Sequence, residues 1–235
     1  MKDISLPFHD RAHAGRLLGE ALAACREHPD LLVLALPRGG VAVGREVARE
    51  LQAPLDVLVV RKLGYPGHEE YAMGAIASGG VRVMNPLPGA APQPQAVAAV
   101  LAREEAELAR REQLYRSRRP AIGITGRSVI VVDDGLATGA TLQAAVLAVR
   151  QQRPRRLVVA VPVGSAQGCQ SLQGRATEVI CLACPEAFGA VSQWYRHFPQ
   201  ATDEEVRQLL DDAHREHALQ AASRAFKAGQ EPPGP

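Results

Sequence analysis

Five short runs of Val, Leu and Ile punctuate this chain: "LLVLAL" (31–36), "LDVLVV" (55–60), "SVIVV" (128–132), "RLVVAVPV" (156–163) and "TEVICL" (177–182). They show little polar alternation, the pattern of strands buried on both faces of a parallel sheet. Between and around them, segments at about 10–28, 41–52, 95–117 and 139–152 read as helices. In the third, Val97, Leu101, Leu108 and Tyr115 recur near a helical period, with Glu and Arg on the other face. This alternation predicts an α/β fold, doubly wound around a mostly parallel central sheet.

A chain of 235 residues is long enough for one sizeable core with a small appendage. Its net charge of +2 is too small to argue for bulk binding of nucleic acid or of a membrane surface. No apolar stretch approaches a bilayer span and "MKDISLPFHDRAHAG" holds no apolar signal core, so the expected location is cytoplasmic, with no membrane partner. Cys181 and Cys184 form a C-x-x-C with His197 at zinc-finger spacing. The second histidine should fall at 201–203, which reads Ala201, Thr202, Asp203. The pair sits in "TEVICLAC", so it is expected in a core strand, with neither zinc nor disulfide.

Two regions break the β–α rhythm. Residues 61–95 are long and punctuated by Gly and Pro, and read as a mobile loop with a hairpin around 72–85 and a linker at 86–94. After Cys184, "PEAFGAVSQWYRHFP" carries the only tryptophan; a helix follows from about 202, and "KAGQEPPGP" reads as a disordered tail. The expected division is an α/β core over 1–185, a hood and helix over 186–213, and a helical extension with a tail over 214–235.

The chemistry concentrates in "VIVVDDGLATGATL" (129–142), where a buried strand ends in two aspartates. Ligands of an open parallel sheet bind beyond the carboxyl ends of its strands, which is where Asp133 and Asp134 would stand. The following residues Gly135, Ala137, Thr138, Gly139, Ala140 and Thr141 are small or hydroxylated and run into a helix N-terminus, a setting suited to one phosphate. Carboxylates beside it suit hydroxyls or a divalent cation, so phosphate and diol together describe a ribose 5-phosphate. The plainer alternative is that the aspartates only cap the helix. The loop is neither a Walker loop nor G-x-G-x-x-G.

This stretch closely resembles the phosphoribosyl-pyrophosphate motif of the type I phosphoribosyltransferases. "LPRGGVAVGREVA" (36–48) lies where that family has its pyrophosphate loop, and "VRKLGYPG" (60–67) resembles the start of its flexible catalytic loop. As a whole the chain is similar to a bacterial group of such proteins whose physiological acceptor is undefined. The resemblance implies transfer of a 5-phosphoribosyl group from phosphoribosyl pyrophosphate to a nitrogenous, nucleobase-like acceptor. Asp133, Asp134 and Lys62 would be catalytic, while Arg38, Gly39, Gly40, Arg61 and Lys62 would grip pyrophosphate. Mg²⁺ would be the cofactor, held mainly by substrate and water with no dedicated protein cage. The resemblance also suggests a cis Pro37–Arg38 peptide.

For the acceptor, Phe188, Trp194 and Tyr195 are the residues expected to stack on a planar base. The basic run "ARREQLYRSRRP" (109–120) is expected to be an ion-paired face; nucleic acid is not an expected partner, whereas a homodimer is among the expectations. The competing function is a protein that senses phosphoribosyl pyrophosphate or a nucleotide on the same fold without catalysis. A hydrolase reading fails, because Ser165 in "VPVGSAQG" lacks the G-x-S-x-G spacing.

Overall fold

The computed structural model describes residues 5–84, 92–117 and 119–228. Along the chain run α1 (Arg11–Ala21), β1 (Leu31–Ala35), α2 (Gly39–Leu51), β2 (Leu55–Val57), β3 (Val60–Tyr65), β4 (His68–Ala77) and β5 (Val81–Met84). They are followed by α3 (Pro94–Arg116), β6 (Ser128–Val132), α4 (Ala140–Gln151), β7 (Arg156–Val163), α5 (Ala166–Ser171), β8 (Glu178–Ala183) and α6 (Asp203–Ala228). Short 3₁₀ turns cover Ala23–Glu27 and Val191–Trp194. Every pairing in the central sheet is parallel, and its strand order is β2-β1-β6-β7-β8.

The both-face burial read from the strands is realised in β1, β2, β6 and β7, whereas β8 at the sheet edge stays half-exposed along its length. Val33, Ala35, Ile130 and Val132 point into a core shared with Leu18 of α1, Val43 and Val47 of α2, and Val206 and Leu210 of α6. Leu32, Leu34, Val129 and Val131 point the other way, onto Leu142, Val146 and Val149 of α4. Burying both faces removes the polar alternation that a half-wet strand would carry.

Residues 55–65 depart from expectation. The run at 55–60 is divided: Leu55–Val57 closes the parallel sheet, and Val60 opens a separate antiparallel sheet ordered β3-β4-β5. The segment from 61 is therefore strand where a loop was expected. Pro66 and Gly67 form a two-residue turn between paired Tyr65 and His68, and Gly67 supplies the positive φ of 79° that such a turn requires. The hairpin anticipated around 72–85 is present as β4 and β5. Most of the linker at 86–94 and most of the tail lie outside the described residues. Helix α6 runs unbroken through 213–214, so the boundary drawn there lies inside one helix.

Of the C-x-x-C pair, Cys181 is half-buried in β8 while Cys184 lies past the strand and is exposed, so only the first has the core role expected of both. In the basic run, Arg110 and Arg111 pair with Glu107, Arg116 with Asp56 and Glu112, and Arg119 with Asp211. Among the described residues, no helix is long and apolar enough to cross a membrane.

Candidate active site

In this strand order the chain leaves β1 toward β2 on one side, and β6 pairs with β1 on the other. The change of direction between β1 and β6 marks the sheet edge at which doubly wound folds form their ligand crevice. One wall is the 37–40 loop after β1; the other begins with Asp133 after β6. The Pro37–Arg38 peptide is cis.

These walls touch. A Cβ on Gly39 would lie 1.9 Å from Asp134 Oδ2, and one on Gly40 would lie 2.9 Å from the Cα and from Oδ1 of Asp133. Only residues without a side chain permit that approach. Asp134 is also held from outside the motif. Its Oδ2 accepts a hydrogen bond from Arg11 Nε (2.8 Å), and its carbonyl accepts one from the Tyr195 hydroxyl (2.6 Å). Arg11 in turn donates from Nη1 to the Pro199 carbonyl (2.7 Å) and lies 3.7 Å over the Phe198 ring.

Asp133 accepts the amide of Asp134 through Oδ1 (2.8 Å). Burial first, and then the neighbouring Asp134 charge, push the Asp133 carboxyl well above the usual carboxylate range. The aspartates do not cap α4: its N-cap is Gly139, at φ 83°, which has no side chain to bond to the first turn. The capping alternative is therefore set aside.

The loop between them is braced from below. Leu136 bonds through its amide to Val163 (2.9 Å) and through its carbonyl to the Ser165 amide (2.8 Å). Ser165 Oγ donates to the Ala137 carbonyl (2.5 Å) and accepts from the Gly168 amide (2.9 Å), so this serine supports the loop and caps α5. A Cβ on Gly139 would fall 2.6 Å from Ser171 Oγ. Thr138, Ala140 and Thr141 flank this point on the loop, where Thr138 and Thr141 are exposed.

Strand alternation separates the two basic residues of β3. Lys62 faces α4 and lines, with Val60, Gly74, Val83, Thr141 and Gln143, a cleft of about 350 Å³. Arg61 faces α3 and bonds through Nε (2.8 Å) and Nη2 (2.5 Å) to the buried carboxylate of Glu104. The pair expected to act together is thus split, because both residues lie in a strand. Arg38 lines a second cavity of about 370 Å³ with Arg11, Ala42, His197 and Leu209.

The hood sits on the phosphate loop through Val191, whose Cγ1 would be 2.4 Å from a Cβ on Gly135. Tyr195 is buried and packs on Phe8 (5.6 Å) and Phe198 (4.8 Å), so it braces Asp134 and offers no face to a base, which corrects the stacking role expected of it. Phe188 and Trp194 stack on each other (6.4 Å between centroids, 19° between planes), and the buried Trp194 Nε1 has no partner. The start of the chain is tied to the hood by backbone bonds: the Phe8 amide bonds to Trp194, and the Arg196 and His197 amides bond to Phe8 and His9. Arg11, Phe8 and Phe198 went unread in the sequence. Arg11 and Asp134 are 123 residues apart, and no local pattern marks either as the other's partner.

Taken together, the fold and site define an α/β protein with a parallel central sheet whose crevice joins a glycine loop, paired carboxylates and a helix start with a glycine N-cap. The chain belongs to the phosphoribosyl transferase domain family, whose model matches residues 9–197. It is 46% identical over 228 residues to the Mycobacterium tuberculosis protein named "Putative phosphoribosyl transferase Rv0571c", covering 96% of this chain and 51% of that one. It therefore spans about half the length of the curated relatives it matches. The crystal structure of TT1426 from Thermus thermophilus is similar at 46% identity and a TM-score of 0.78, covering 86% of this chain and 97% of that one.

Proposed function

We propose that this chain transfers the 5-phosphoribosyl group of phosphoribosyl pyrophosphate to a planar nitrogenous acceptor. One observation carries the reading: the contact of the Gly39–Gly40 loop with Asp133 and Asp134 beside the N-terminus of α4. In the reaction the C1–O bond to pyrophosphate breaks, its electron pair leaves on pyrophosphate, and the acceptor nitrogen bonds to C1, losing its proton. Amides of 135–141 with the Thr138 and Thr141 hydroxyls take the 5-phosphate. Asp133 and Asp134 accept the ribose hydroxyls. Arg38, the amides of Gly39 and Gly40, and Lys62 take pyrophosphate, whereas Arg61 serves Glu104 and so positions β3 against α3.

The donor set fits the Mg²⁺ that the family implies. Two adjacent carboxylates, Asp133 and Asp134, suit a hard cation. Such an ion would draw most of its ligands from substrate and water, near Asp133 and Asp134. When bound it supplies charge neutralisation on the departing pyrophosphate.

The test is pyrophosphate release from phosphoribosyl pyrophosphate and Mg²⁺ across a panel of purines, pyrimidines and other amines. Release with one acceptor class supports transfer. Tight binding of phosphoribosyl pyrophosphate without release for any acceptor would favour the sensing function.

A further inference from the structure

The end of the sheet opposite the crevice concentrates charge that the proposed reaction does not use. Helix α4 ends before Pro154, β7 begins at Arg156, and the turn leading into β8 lies alongside. They enclose a pocket of about 270 Å³ lined by Arg150, Arg153, Arg155, Arg156 and Arg175, together with Thr177, and no acidic residue lines it. The pocket sits at the start of β7 whereas the crevice lies beyond the carboxyl ends of the strands, and Arg175 alone of its arginines also reaches the Lys62 cleft along α4.

Ordinary surface roles account for little of it. One basic residue in the last turn of α4 would answer the helix dipole, and Arg150 does so. One carboxylate is paired: Glu178 accepts from Arg156 Nη2 at 2.8 Å. Further bonds run to neutral carbonyls: Arg150 to Arg175 (3.1 Å), Arg155 to Pro29 (2.7 Å) and Arg175 to Ser171 (3.1 Å). Those bonds orient the side chains without cancelling their charge. The Arg156 Nε is buried and has no acceptor. A buried cationic N–H without a partner is costly, and an anion in the pocket would remove that cost.

We infer that this pocket binds a small polyphosphate: two or more linked phosphate groups, free or as the tail of a nucleoside di- or triphosphate. Guanidinium groups pair with phosphate oxygens in two-point fashion, and Arg150, Arg153 and Arg175, which have no carboxylate partner among the described residues, offer more such pairings than one phosphate can engage. The concave shape and its volume suit a short phosphate chain. The inference does not rest on the transfer reaction.

The experiment is calorimetric titration of the full chain with inorganic phosphate, pyrophosphate, tripolyphosphate, ADP and ATP, for the native chain and two variants. Arg150→Gln with Arg153→Gly alters the pocket; Arg153 lies at φ 54°, where glycine fits, and an unchanged melting temperature would verify the fold. Arg38→Gln alters the crevice. Tripolyphosphate should fill a site that survives Arg38→Gln and weakens about ten-fold or more in the Arg150/Arg153 variant. Equal affinity of ATP and tripolyphosphate would assign recognition to the phosphate chain, and tighter ATP would assign it to a nucleotide; both support the site. A single site lost with Arg38→Gln overturns it. So does a single-stranded RNA that displaces tripolyphosphate with higher affinity through the same arginines, since the face would then be one for nucleic acid. If the double variant fails to fold, Arg155→Gln alone carries the same comparison.

Discussion

Replacing Gly135 with alanine tests the docking of the hood on the phosphate loop. The new Cβ would lie 2.4 and 2.7 Å from the two Val191 methyls and 3.1 Å from its Cβ. Apolar carbons rest at about 3.5–4.0 Å, so the overlap with both methyls is near 1 Å. Gly135 is not at positive φ, so its backbone accepts alanine and the substitution acts through contact alone. Overpacking of this kind costs about 1–3 kcal/mol. Val191→Ala alone removes two half-buried methyls, at a cost of about 1 kcal/mol. In the double variant the remaining Cβ contact sits at the edge of tolerance, and most of the clash is gone. The two changes should therefore be non-additive by about 1–2 kcal/mol in urea unfolding, with the double variant more stable than the sum predicts. Pyrophosphate release should follow the same order, falling in Gly135→Ala and partly returning when Val191 is also shortened. Additivity within about 0.5 kcal/mol would refute the contact and with it the placement of the hood.

Asp133→Asn should lower transfer by about 10²-fold or more, as loss of a positioned charge at the reacting centre does. The same substitution bears on stability. Because burial and Asp134 raise the Asp133 carboxyl, the folded chain holds a proton there more tightly than the unfolded one. The group's stabilising contribution is complete below the ordinary carboxylate range and is lost as pH rises through the raised value. Melting temperature against pH should thus show Asp133→Asn at least as stable as the native chain at neutral pH, and a less stable variant there would contradict the linkage. Arg11→Lys retains the charge but not the three-way fit to Asp134, Pro199 and the Phe198 ring, and should cost about 1–3 kcal/mol in thermal unfolding together with a loss of transfer. Lys62→Ala should depress transfer far more than it weakens calorimetric binding of a nucleoside monophosphate, since Lys62 is assigned to the departing pyrophosphate. Equal losses would make it a simple binding charge.

How much of the site was legible depended on how local its cause was. The run from Val129 to Leu142 states its own structure: apolar on both faces, then acids, then small residues, then helix formers. The central strands, the main helices and the position of the motif at a strand end followed from that kind of pattern, because burial on both faces suppresses polar alternation along the strand itself. The split of Arg61 from Lys62 was not legible. It depends on whether that segment is strand or loop, and a Pro-Gly pair punctuates both; pairing with β4 decides the matter. Nor could the sequence tell which aromatic residues are free to meet a base. Tyr195 and Phe188 stand in one stretch, yet the first is taken up by Asp134 and Phe8, through contacts that exist only once the beginning of the chain has folded onto the hood. Arg11 makes the same point more sharply. Its electrostatic partner is 123 residues away, and a pairing of that range leaves no periodicity to read, because only the closed tertiary structure brings the two charges together.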